Sequence, residues 1–481
     1  MRKKELDLKR VYPRLIQGGM GVGVSGWELA KAVSQLGQLG TVSITGIWVV
    51  TARKLQLGDE GGHIRRALSN YPNQETAQRI INRYYVPAGE LKDNAFRNIP
   101  MLTYPLSRDL TELIAAACFA EVWLAKEGHN GLIAVNSLEK IQVGHLPSLY
   151  GCMLAGVDCV LMGAGIPLQI YEAIDRLSQH EPATYRLSVE GASSDSVFEV
   201  HMNPRELLPL DHPVSINRPD FFPIVSTHVL AAMFNRRGVR RADGFIIEAH
   251  SAGGHNAPPR ASKELSETGE PIYTDKDVAD LSKMDPEYPF WLAGSRAHPS
   301  ALKEALALGA HGVQVGSIFA LCKESNMREE LKQRVINSAL QGNVSVYTNP
   351  HGSPSGFPFK EMHMEGTLSD ADIYSSRQRI CDIGAFRNMY CKPDGKIGYR
   401  CSAEPVDDFV KKGGTTDVAD GTRCLCNALC ATVGLGQTRP TQNNFEEPPL
   451  VTVGDDLSFV ADITDGDIYT AKQAVDYLLS P

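Results

Sequence analysis

The stretch Pro289–Phe319, PFWLAGSRAHPSALKEALALGAHGVQVGSIF, decides the fold. Phe290–Ala293 is almost wholly apolar, as a parallel strand buried on both faces must be. Gly294 and Ser295 end it. Pro299 sits where the first turn of a helix tolerates proline, and Gly309 stands where a helix closes in a left-handed residue. A second apolar strand, Gly312–Val315, stops at Gly316-Ser317. Two glycine-hydroxyl turns therefore fall at the same end of neighbouring parallel strands. Their backbone N–H groups form a cup for a phosphate dianion, and in a (β/α)8 barrel that cup lies on the loops after strands 7 and 8.

Outward from this unit the same rhythm continues. Strand 1 is predicted at Arg14–Gln17, strand 2 at Gly40–Thr45, strand 3 at Gly131–Asn136 and strand 4 at Asp158–Met162. Strand 5 is predicted at Phe222–Ser226 and strand 6 at Gly244–Ala249. Eight apolar strands alternating with helical segments predict an α/β fold, a (β/α)8 TIM barrel with insertions and a C-terminal extension. The barrel is expected over residues 10–325. Insertions are expected at about 46–110, 180–215 and 256–288, and the extension at 326–481. Tyr185–Met202 alternates apolar and polar residues as a hairpin does. Asn349–Lys360 (NPHGSPSGFPFK) reads as loop or strap. The chain is expected to end in a helix near Tyr469–Leu479 with Asp465 as its cap.

Composition narrows the partners. A 481-residue chain of net charge −8 argues against nucleic acid or an anionic membrane surface. No apolar run is long enough to span a bilayer, and no apolar segment follows the charged start MRKKELDLKR as a secretory signal requires. Ten scattered cysteines fit a reducing, cytoplasmic location better than a disulfide framework. Cys381, Cys401, Cys424 and Cys426 could supply thiolates to a metal, or Cys424 and Cys426 could face the active site. Their spacing lacks paired C-x2-C knuckles, so a tail without stoichiometric metal is expected.

Two further motifs carry chemistry. Gly21–Gly26 (GVGVSG) matches GxGxxG between a strand and a helix, but strand 2 ends without the carboxylate that holds a ribose, which rejects a dinucleotide fold. The glycines instead suit a backbone lying against a planar ligand. Strand 6 runs into Glu248-Ala249-His250-Ser251-Ala252-Gly253-Gly254-His255. Catalytic groups of barrels gather at this end of the strands, so His255, behind two glycines, is the candidate acid or base. His250 is the weaker candidate, and Glu248 a residue that orients a ligand. A nucleotide dehydrogenase using the same phosphate cup needs a nucleophilic cysteine after strand 6, and no cysteine lies between Cys159 and Cys322.

The collinear motifs Ile16–Gly21 (IQGGMG), Ala134–Asn136 (AVN), Ala252–His255 (AGGH), Ala293–Ser295 (AGS) and Gly312–Phe319 (GVQVGSIF) resemble the nitronate monooxygenase family, formerly 2-nitropropane dioxygenases. Flavin-dependent enoyl-acyl-carrier-protein reductases belong to the same superfamily. The resemblance implies FMN, with its phosphate on Gly294-Ser295 and Gly316-Ser317. It implies the isoalloxazine ring along Gly19-Met20-Gly21 with Asn136 near the flavin, Gly18, Glu248, Gly253 and Gly254 as further cofactor-binding residues, and His255 as the catalytic histidine. The expected reaction is oxidation of a nitronate or similar carbanion by O2. The EAHSAGGH segment also resembles the enoyl reductases that accompany fatty-acid and polyketide synthases. That alternative implies an acyl-thioester substrate and NAD(P)H as co-substrate. A flavin-binding accessory subunit is the third reading, and a homodimer or a synthase partner stays open.

Overall fold

The computed structural model describes residues 10–193, 195–208, 214–261, 263–440 and 445–481. Its centre is a parallel barrel. Strands β1 (Leu15–Gln17), β2 (Gly40–Ser43), β3 (Ile133–Leu138) and β4 (Cys159–Gly163) come first. A hairpin, β5 (Ala183–Arg186) and β6 (Glu199–Met202), stands apart from the sheet. The barrel resumes with β7 (Asp220–Val225), β8 (Phe245–Glu248), β9 (Phe290–Ala293) and β10 (Gly312–Val315). The spatial order is β1-β10-β9-β8-β7-β4-β3-β2. A parallel bridge between Ile16 and Leu39, with Gln17 N–H donating to Leu39 O at 3.0 Å, joins the two ends and closes the sheet.

Closure depends on what fills the inside. Ile16, Leu39, Ala134, Leu161, Phe222, Ile246 and Trp291 form an inner cluster shielded from solvent. Trp291 stacks on Phe222 with ring centroids 5.1 Å apart, and Tyr12 meets Phe222 edge-on at 4.9 Å. The polar tips are not stranded: Trp291 Nε1 donates to Pro13 O and Tyr12 Oη donates to Asp220 Oδ2. This aromatic plug fills the N-terminal end of the barrel and leaves the C-terminal end for a ligand.

The expected hairpin at Tyr185–Met202 is present. Two other expectations are corrected. The segment read as a strap is anchored by a second hairpin, β11 (Val346–Asn349) paired antiparallel with β12 (Phe359–Met362), so Phe359 and Lys360 belong to a strand. The terminal helix spans Ala471–Leu478 and is capped by Thr470, not Asp465. Thr470 and Gln473 satisfy one another's backbone N–H groups reciprocally, which Asp465 is too far upstream to do.

The chain after β10 returns to the barrel at several points. Tyr469 Oη donates to Ile318 O at 2.7 Å. Buried Arg53, in the inserted helix Ile47–Gln56, donates to Leu435 O at 2.7 Å. Leu425, Leu429, Leu450, Val453 and Phe459 share one core with Leu15, Val42 and Val315.

Candidate functional site

The barrel strands point their C-terminal ends at one cavity of about 1500 Å³, open mouth included. Gly18, Gly19, Met20 and Gly21 line it after β1, and Asn136 lines it from β3. Glu248, Gly253, Gly254 and His255 come from the end of β8 and its loop. Gly294 and Ser295 follow β9, and Gly316 and Ser317 follow β10. These residues, singled out from the sequence, thus meet in one place, whereas His250, Cys424 and Cys426 do not line it. His250 lies outside it, stacked on Tyr273 at 4.2 Å.

The two Gly-Ser turns are built differently. At the first, both residues have left-handed backbone, Gly294 at φ +92° and Ser295 at φ +49°. A non-glycine residue there costs energy that the surroundings must over-determine. A Cβ on Gly294 would also lie 2.9 Å from Ser251 Oγ. At the second turn, Gly316 faces space: an added Cβ would meet nothing closer than Met20 Sδ at 3.7 Å. Ser317 Oγ accepts from Gly454 N–H at 2.8 Å, so its oxygen serves the tail while its O–H proton stays free to be donated.

The opposite wall suits a flat ligand. Gly19 approaches Asn136 so closely that a Cβ would sit 2.2 Å from Asn136 Oδ1. Asn136 Oδ1 and Gln314 Oε1 are both buried in the cavity wall without a hydrogen-bond partner among the described residues. An orphaned buried acceptor costs about 1–3 kcal/mol, so two of them facing one cavity point to a ligand that pairs with them.

His255 is half-buried, its ring edge-on to Phe359 with centroids 5.0 Å apart and tilted 5.9 Å from Phe386. Its Nε2 lies 2.7 Å from Ser353 Oγ, which lies 2.7 Å from Ser355 Oγ. Burial among these groups lowers its pKa to about 4, so the imidazole is neutral at physiological pH. Burial pushes Glu248 the other way, up to about 8, which makes it a carboxylic acid at neutrality.

Part of the wall comes from residues that the sequence did not single out. Phe359, Phe386, Leu429, Leu450, Thr452, Val453 and Gly454 all come from the C-terminal extension, beyond the barrel strands. Thr452 Oγ1 accepts from Gly254 N–H at 2.8 Å, and Asp455 N–H donates to Ser251 O at 3.1 Å, which straps Leu450–Asp456 across the β8 loop. These residues follow no βα period, and only the tertiary contact reveals them. Cys381, Cys401, Cys424 and Cys426 line a separate, small pocket that shares Phe386 with the main cavity. Cys424 and Cys426 therefore do not face the active site. Among the described residues no three His, Cys, Asp or Glu side chains are grouped to hold a metal. No helix of the described residues is long and apolar enough to cross a membrane.

The chain is similar to known proteins over part of its sequence. The family model for nitronate monooxygenase matches residues 217–354, from β7 through the loop after β11. A probable nitronate monooxygenase of Bacillus subtilis (strain 168) is 33% identical over 113 residues, which are 24% of this chain and 30% of that protein. The chain thus aligns with less than a third of that relative's length. FabK from Thermotoga maritima superposes with a TM-score of 0.47 at 17% identity, covering 100% of this chain and 95% of that one. Nitroalkane oxidase from Streptomyces ansochromogenes gives 0.46 at 15% identity, covering 97% and 94%. The matched residues 217–354 carry His255 and both Gly-Ser turns, so the similarity to nitronate monooxygenase falls on the part of the chain that builds one side of the cavity.

Proposed function

We propose that this chain is an FMN-dependent oxidoreductase that oxidises a nitronate or similar carbanionic small molecule with O2. The observation that carries the reading is the meeting of a phosphate cup, two orphaned amide acceptors and a neutral histidine in one cavity. The residues fit FMN. Gly294-Ser295 and Gly316-Ser317 would hold the phosphate, the Gly18–Gly21 backbone would lie along the ring, and Asn136 and Gln314 would pair with its polar edge. Bound FMN would supply the two-electron redox chemistry between the carbanion and O2.

The chain's own residues do the rest. Phe359, Phe386, Leu429 and Leu450 exclude water from the reacting carbon. His255, fixed through Nε2 by the Ser353–Ser355 pair, takes the proton from a carbon acid or steadies the anion left behind. An anionic substrate beside the ring favours imidazolium and raises its proton affinity towards the working range.

A second reading, an enoyl-thioester reductase using NAD(P)H, is favoured by Glu248. A reduction must deliver a proton as well as a hydride, and Glu248 is a strand-end acid that keeps its proton at neutrality. Two experiments test these readings. Heat release of the ligand and chromatography should give FMN. FAD, or no flavin even after incubation with FMN, overturns the cofactor assignment. Under anaerobic conditions a nitronate should bleach the flavin absorbance while NADH and NADPH do not. Bleaching by a nicotinamide alone would replace the first reading with the second.

A further inference from the structure

We infer that Arg296 is a cofactor-binding residue that reads the phosphate monoester, selecting phosphorylated over unphosphorylated flavin. This rests on the flavin reading above. Arg296 follows Ser295 directly and lines the same cavity as Gly294, Ser295, Gly316 and Ser317. Among the described residues lining the cavity it is the only lysine or arginine.

Its present partners leave it under-used. Its one ion pair among the described residues runs from Nη1 to Glu304 Oε2 at 3.6 Å, with the Glu304 side chain 63% exposed. A pair of that length and exposure contributes little. Arg296 Nε is buried and has no acceptor among the described residues. A guanidinium is planar and always charged, and its donors form a fork shaped for two oxygens of one phosphate. A phosphate monoester carries close to two negative charges at neutral pH, so it supplies both the acceptor and the charge that Arg296 lacks.

The carboxyls nearby do not compete. Asp456 Oδ2 lies 3.1 Å from His298 Nε2, and its other oxygen accepts from the Ser458 backbone N–H at 2.9 Å. Glu248, the other carboxyl in the wall, holds its proton at neutrality and offers no counter-charge.

The test is flavin titration of full-length, flavin-stripped protein, followed by fluorescence quenching, with FMN and riboflavin in parallel. Arg296→Met should weaken FMN by about 10- to 100-fold, the range for losing a hydrogen bond to a charged group. Riboflavin, which has no phosphate, should bind the variant and the wild type within about twofold, and this also shows that the variant is folded. Arg296→Lys should recover part of the FMN affinity by restoring the charge without the fork. Equal weakening of both flavins, or an unchanged FMN affinity, overturns the role of Arg296 while leaving a flavin site in place. Failure of the wild type to bind either flavin overturns the flavin reading and this inference with it.

Discussion

Burial moves Glu248 and His255 in opposite directions because desolvation always penalises the charged form: the acid holds its proton and the base loses it. The consequence for stability is opposite too. An unfolded glutamate ionises above its ordinary 4.5, whereas Glu248 in the fold keeps its proton to about 8. The unfolded chain is favoured progressively across that window, so the fold loses stability as pH rises from about 4.5 to 8. Glu248→Gln removes this titration. In flavin-free protein the melting temperature of the variant, relative to wild type, should climb across the window, and a pH-independent difference would sink the assignment. His255 acts at the acid side, where stability present above 6.5 is lost as pH falls towards 4. For function, His255→Ala should slow turnover by about 10^2- to 10^4-fold, the usual cost of a missing acid or base. Flavin should stay bound, since the phosphate turns and the Gly18–Gly21 run lie on other loops. Saturating kinetics must accompany the assay, because a histidine that only positions substrate shows in KM.

At the level of elements, the strap Leu450–Asp456 behaves as a clasp with few fasteners. Thr452 Oγ1 to Gly254 N–H, Gly454 N–H to Ser317 Oγ and Asp455 N–H to Ser251 O tie it to two active-site loops. Thr452→Val keeps the shape and deletes the first acceptor, leaving a partly buried N–H unpaired at about 1–3 kcal/mol. Amide hydrogen exchange should then rise in residues 250–256 and 450–456 and stay unchanged in β9 and β10; uniform acceleration would mean a global effect instead. The contrast between these elements explains what the sequence could say. Phe290–Ala293 and Gly312–Val315 were legible to the residue because a continuous apolar run bounded by Gly-Ser has one good reading. β11 and β12 were not, since they flank a Gly-, Pro- and Ser-rich turn and owe their pairing to the surface they lie on. The Thr470–Gln473 capping box was legible in principle, and the acidic Asp465 drew attention from it. The apolar wall at Phe359, Phe386 and Leu450 was illegible because its residues come together only through long-range packing.

For the molecule as a whole, the question is whether the barrel stands without its C-terminal extension. Leu425, Leu450, Val451, Val453 and Phe459 are buried in the core that also holds Leu15, Val315 and Ile318. Each contributes about 1.5–3 kcal/mol of burial. Together they rival the entire stability of a typical domain, about 5–15 kcal/mol. Removing them also exposes their partners on the barrel, and it strips buried Arg53 of the Leu435 carbonyl to which its Nη1 donates. A chain ended after residue 345 should therefore lose more than one wall of the cavity: it should be insoluble or unfold without cooperativity. Sedimentation and thermal unfolding of this truncation decide the matter. A monodisperse product melting cooperatively within a few degrees of the full chain would make residues 346–481 a detachable appendage and would leave the strap as decoration on a self-sufficient barrel. Aggregation would instead mean that the surface receiving Leu450 and Phe459 is core, and that barrel and tail fold as one unit around the cavity they share.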